Sequence, residues 1–210
     1  MSRIIDEHGM PKFDLEEFDL ALKLLANKME ERDIEPFDIY AVGGYVCLLK
    51  GKRDFTHDID AYYRGNDELL KAISEVSIEI KNPEWLNNDV NYGSYLDIPT
   101  LNELLSVKDS FEFINKIGRI NMYCASAFTV IFMKLVSFRI DESNKTDVQD
   151  ICDLAVDYDV DTVINSLMKY KPLCKNSYSF EDYIANFLLS LYVSHQITDE
   201  EYIKYSTKYC

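Results

Sequence analysis

The chain has 210 residues, of which 47% are apolar and 28% charged, with only seven Gly and five Pro. That balance excludes a disordered polymer and leaves little length for linkers. A formal charge of −15 excludes general phosphate neutralisation by an overall basic surface, so a nucleic-acid partner would have to meet a local patch.

The opening Met1-Ser-Arg-Ile-Ile-Asp-Glu-His8 lacks the apolar core of a signal peptide, so a cytoplasmic chain is expected. Asp14-Leu-Glu-Glu17 has capping-box form, and Leu15, Phe18, Leu22, Leu25 and Met29 then repeat at helical spacing, predicting an amphipathic helix to Arg32. Phe37 to Val42 alternates as a strand does, Gly43-Gly44 breaks it, and Tyr45 to Lys50 follows as a short helix stopped by Gly51. Lys52 to Thr56 is a polar turn, and Asp58-Ile-Asp-Ala-Tyr-Tyr63 alternates with a period of two, predicting a half-buried strand. Asn66 to Glu79 is helical, whereas Pro83 to Tyr95 shows no period and predicts a long structured loop.

Ser110–Ile114 and Arg119–Cys124 predict a β-hairpin with Asn-Lys-Ile-Gly118 as its turn. Beyond it the segments Ala125–Arg139, Thr146–Tyr158, Val160–Tyr170, Ser179–Val193 and Thr198–Lys208 all read as helix, with capping boxes at Thr146/Gln149 and Thr198/Glu201. The longest apolar run, Phe128 to Val136, is interrupted by Lys134 and is too short to span a bilayer, so no membrane partner is expected. Five cysteines, odd in number and without a CxxC pair, suggest reduced thiols, and neither His8 nor His195 has a partner at metal-ligand spacing. The expected fold class is α+β: a small mixed, mainly antiparallel sheet flanked by helices over residues 1–124, then a C-terminal helical bundle over 125–210, with the active cleft between them.

Asp58 and Asp60 carry the chemistry. At positions i and i+2 of a strand they share a face, roughly 6 to 7 Å apart at Cα, so they can hold one or two hard divalent cations such as Mg²⁺ or Mn²⁺. Asp-Ile-Asp alone is equally the solvent face of an edge strand. Gly43-Gly44, between a strand and a helix, lets backbone amides approach an anion, though a plain tight turn has the same sequence. Arg53 and His57 flank the acidic strand, where a base can hold a triphosphate oxygen or stay solvated.

The stretch Ala41-Val-Gly-Gly-Tyr-Val-Cys-Leu-Leu-Lys-Gly-Lys-Arg-Asp-Phe-Thr-His-Asp-Ile-Asp-Ala-Tyr-Tyr63 resembles the minimal nucleotidyltransferase and AbiEii-type branches of the DNA polymerase β superfamily. There a glycine turn precedes an Arg-x-Thr-x-Asp-Ile-Asp string, here Arg53, Thr56, Asp58, Ile59 and Asp60. Ala127 to Arg139 and Lys145 to Leu154 resemble the helix pair that follows the sheet in AbiEii-like toxins.

The resemblance implies a Mg²⁺-dependent nucleotidyltransferase with an NTP donor. Asp58 and Asp60 would bind metal, Gly43 and Gly44 with Arg53 and Thr56 would bind nucleotide, and Lys134 with Asp147 would complete the site. It implies a tRNA, protein or small-molecule acceptor and an antitoxin-like partner protein. From the residues themselves, Lys134 either snorkels to water or aims its charge at a phosphate, Asp147 suits a helix start in any case, and Asp150 reads as a solvated helix acid.

The third carboxylate of such sites comes from a strand beside the Asp pair. Glu112 is the first candidate, with Asp89 and Asp97 as alternatives. A tRNA acceptor would require a basic strip, for which Lys50, Lys52, Arg53, Lys134 and Arg139 are available. Trp85-Leu-Asn-Asn-Asp89 resembles a loop of relatives in which an aromatic and amides line a base pocket, while a Trp plugging a small core has the same signature. The competing reading is a catalytically silent member of the fold that binds nucleotide or a partner protein.

Overall fold

The computed structural model describes residues 4–5, 10–92, 98–137, 145–175 and 179–210. His8, Asp97 and Arg139, singled out in the sequence, lie outside them. The chain is α+β and divides into two compact units: Met1–Val90 with Phe111–Ala125, and Asn91–Ser110 with Ser126–Cys210. Residues 91–110 group with 126–210, so the two units interleave along the chain.

In the first unit a two-residue strand β1 (Ile4–Ile5) pairs with β2 (Pro11–Lys12), and α1 runs from Leu15 to Glu31. The predicted capping box is present: Asp14 accepts from the Glu17 amide at 2.9 Å, and Glu17 accepts from the Asp14 amide at 3.3 Å. Strand β3 (Phe37–Ala41) leads into α2 (Gly43–Leu49), then β4 (Ile59–Tyr62) and α3 (Asp67–Ile80), which Asn66 caps through the Leu69 amide. Strand β5 (Leu86–Asn87) lies inside the segment expected to be a loop. Two residues are too few to show a period.

The other unit contributes α4 (Leu101–Ser106), opened by a Thr100/Glu103 capping box, after which the chain returns to the sheet as β6 (Phe111–Ile117) and β7 (Ile120–Ala125). The hairpin turn is tighter than expected. Gly118 and Arg119 alone make it, with Gly118 at φ +56°. Register is restored by a bulge at Ile114, between the pairs Phe113↔Tyr123 and Asn115↔Met122.

The sheet order is β5-β4-β3-β7-β6. β4/β5 and β3/β7 are parallel, while β3/β4 and β6/β7 are antiparallel, so the sheet is evenly mixed rather than mainly antiparallel. Ile39, Ala41, Ile59, Ala61 and Met122 face a core completed by Phe18, Leu22, Leu25 and Met29 of α1 and Leu69, Ile73 and Val76 of α3. By strand alternation Asp58 and Asp60 lie on the opposite face.

The second unit holds α5 (Ala127–Val136), α6 (Lys145–Ala155), α7 (Val160–Leu167), α8 (Phe180–Val193) and α9 (Asp199–Tyr209), with a 3₁₀ segment Met168–Leu173. α5 is buried on nearly all sides, as its mostly apolar sequence demands, and Phe132 stacks on Tyr170 at 4.9 Å. The Thr198/Glu201 box caps α9 as expected. The Thr146/Gln149 box does not form, because α6 already includes Lys145 and Gln149 reaches forward to Asp153 at 2.7 Å. No helix among the described residues is long and apolar enough to cross a membrane.

Candidate functional site

The loop from α2 to β4 is tied down on several sides, and this places the acidic strand. Thr56 pairs with Phe13 through both backbone bonds, at 2.8 and 3.0 Å. The His57 ring meets the Pro11 carbonyl at 3.0 Å, while the His57 carbonyl accepts from the buried Asn82 amide at 2.7 Å. Ile59 then donates to the Trp85 carbonyl and Val42 to the Asp60 carbonyl, both at 2.8 Å. Asp58 and Asp60 therefore stand on a strand held along both edges.

Gly43 and Gly44 are required here for room. Gly43 has φ +65°, and a Cβ there would stand 2.6 Å from Asp60 Oδ2, so the carboxylate lies directly against the glycine backbone. A Cβ on Gly44 would meet Thr56 Oγ1 at 2.6 Å and Arg53 Nη1 at 3.1 Å. The fold thus brings together six residues named from the sequence: Gly43, Gly44, Arg53, Thr56, Asp58 and Asp60. With seven residues, α2 offers a small dipole, and close backbone approach is the larger contribution of the turn.

Asp58 is half-buried and accepts a hydrogen bond from Asn87 Nδ2 at 2.7 Å. Burial, and then the neighbouring charge of Asp60, push its carboxyl up to about 7, and Glu84 and Asp89 add to the rise while Asn87 opposes it. Two acids crowded on one face in this way gain from a divalent cation, which removes their repulsion. Mg²⁺ is commonly held by one or two carboxylates together with substrate phosphates and water, and Asp58 with Asp60 fit that donor set. Among the described residues no group of three or more His, Cys, Asp or Glu is arranged to hold a metal.

Glu112 does not supply the third carboxylate. Its strand β6 is at the far edge of the sheet, with β7 and β3 between it and β4, and Glu112 pairs with Lys50 at 3.4 Å. β4 lies between β3 and β5, and the β5 residue in register with Asp60 is Asn87. Asn82 escaped the sequence reading, and Asn87, read there as a base-pocket amide, lies instead on the strand beside the acids. Asn82-Pro83 is a turn signal, but nothing in the sequence marks Asn87 as a strand neighbour.

Lys134 and Asp147 belong to the helical unit. Lys134 is 9% exposed and forms ion pairs with Asp147 and, at 2.6 Å, with Asp150. Burial lowers the lysine's proton affinity, but Asp150 and Asp147 outweigh it and raise the pKa above its ordinary value. Asp150, at 1% exposure, is a buried partner rather than a solvated acid. The proposed basic strip loses Lys134, whose charge is enclosed and compensated, while Lys50 is engaged by Glu112.

Trp85 is fully buried, and its indole N–H donates to the Ile73 carbonyl at 3.4 Å, so it plugs the α3 side of the core. All five cysteines are free thiols. Compared with family models, with curated proteins and with solved structures, the chain matches none of them.

Proposed function

We propose that this chain binds a nucleoside triphosphate at the centre formed by Gly43, Gly44, Arg53, Thr56, Asp58 and Asp60, and transfers its nucleotidyl group to an acceptor. The observation that supports this reading is the packing of the Asp60 carboxylate against the positive-φ Gly43, with Arg53 and Thr56 against Gly44.

Arg53 and the glycine backbone would receive phosphate oxygens, while Asp58 and Asp60 would hold Mg²⁺ or Mn²⁺. The cation, when bound, neutralises triphosphate charge and assists in-line displacement of pyrophosphate from the α-phosphorus. The acceptor is an RNA such as tRNA, a protein or a hydroxylated small molecule.

The second reading, a silent member of the fold that binds nucleotide or a partner protein, draws support from the described residues, among which no group of three acids is arranged to hold a metal. Transfer from each α-labelled NTP with Mg²⁺ into total tRNA, other RNA and protein separates the two. The control is the double variant Asp58→Ala, Asp60→Ala. Label that disappears in the double variant supports transfer, label that persists removes the two aspartates from the chemistry, and aspartate-dependent nucleotide binding without label favours the silent reading.

A further inference from the structure

β5 runs parallel beside β4 with Asn87 opposite Asp60, so Asn87, Asp58 and Asp60 share one face of the sheet. On the other flank, Val42 donates to the Asp60 carbonyl and Gly43 follows it. The residues flanking Asp60 are thus Asn87 on one side and Val42, with Gly43 after it, on the other, none of them anionic.

The orientation of the amide follows from its partners. Its Nδ2 donates to Asp58 Oδ2 at 2.7 Å, and its Oδ1 accepts from the Asp89 N–H at 3.2 Å. Turned over, it would set oxygen against oxygen and N–H against N–H, so the network determines which end is which. Asn87 therefore presents a donor to the carboxylate and turns its Oδ1 to the Asp89 N–H. Toward Asp58 it offers an N–H rather than a cation ligand, and it engages one of the two oxygens of that carboxylate.

A pair of cations, about 3.5–4 Å apart in two-metal sites, needs carboxylates that bridge or flank both ions. With Asn87 in the flanking register, Asp58 and Asp60 balance the charge of one divalent ion. We infer that Asn87 is a positioning residue that fixes Asp58 for a single divalent cation, in a register where a carboxylate would admit a second. The inference rests on the cation reading proposed above.

The test is Mn²⁺ titration of the whole chain, following free Mn²⁺ by electron paramagnetic resonance and binding heat by calorimetry. Fluorescence of the one tryptophan, buried Trp85, monitors folding of each variant. Wild type is expected to bind one Mn²⁺ and the isosteric Asn87→Asp two. Asn87→Ser should keep one site with affinity about 10- to 100-fold weaker, the usual effect of losing a group that orients a ligand. Asp89→Asn should leave the stoichiometry at one.

Two Mn²⁺ on the wild type would overturn the inference while leaving the cation reading intact. So would a folded Asn87→Ser variant with unchanged affinity, or a folded Asn87→Asp variant that still binds one. Absence of Mn²⁺ binding to the wild type would overturn the cation reading itself and this inference with it.

Discussion

Replacing Gly43 and Gly51 in turn by alanine separates backbone strain from contact with the site. Both glycines have nearly the same positive φ, +65° and +67°, so each alanine meets the same left-handed penalty of about 1–2 kcal/mol. The two differ in their surroundings. A Cβ at Gly51 meets nothing within 4 Å, whereas at Gly43 it stands 2.6 Å from Asp60 Oδ2, 3.3 Å from its Cβ and 3.4 Å from its Cγ. The Asp60 side chain must rotate off its resting rotamer, which adds about 0.5–1.5 kcal/mol.

Gly43→Ala is therefore expected to lose about 1 kcal/mol more than Gly51→Ala, or about 2–4 °C in melting temperature for a chain of this length. Trp85 fluorescence is the suitable probe, because the one tryptophan lies in the core of the unit that holds both glycines. Mn²⁺ affinity gives an independent reading and should fall in Gly43→Ala alone. Equal melting of the two variants, with equal Mn²⁺ affinity, would refute the close approach of Asp60 to the glycine turn.

In the absence of metal, the raised Asp58 pKa makes ionisation cost the folded state more than the unfolded one. The contribution of Asp58 to stability should be greatest below about pH 4, fall as pH rises toward 7 and level off above, by up to about 4 kcal/mol. Urea unfolding in chelator between pH 5 and 8 checks this, and an Asp58→Asn variant with the same slope as wild type would contradict it. Lys134→Met leaves Asp147 and Asp150 buried without their cation and should cost about 3–5 kcal/mol by circular dichroism. A loss below about 1 kcal/mol would mean that water reaches the triad. Asn82→Ala removes the donor to the His57 carbonyl and the acceptor of the Glu84 amide, with an expected loss of about 1–3 kcal/mol. No change in unfolding midpoint would show that other contacts hold the loop before Asp58.

The local signals were legible in the sequence because their causes are local. Asp14/Glu17 and Thr198/Glu201 cap their helices as read, since a capping box closes within four residues. The alternation of Asp58 to Tyr63 placed Ile59 and Ala61 in the core and the two aspartates on the other face, because strand periodicity needs no partner to be seen. The glycine turn was legible for the same reason, although its purpose became visible only when Asp60 and Thr56 were found against it.

Tertiary structure decided what depends on distant segments. Which strand lies beside β4 is a matter of sheet order, and it exchanged the expected Glu112 for Asn87, from a two-residue strand with no pattern of its own. Lys134 and Asp150 are ordinary helix residues in the sequence, and only the packing of α5 on α6 makes them a buried ion pair. Periodicity is carried by each element alone, whereas neighbours, burial and charge compensation arise between elements, where a single sequence records no pairing.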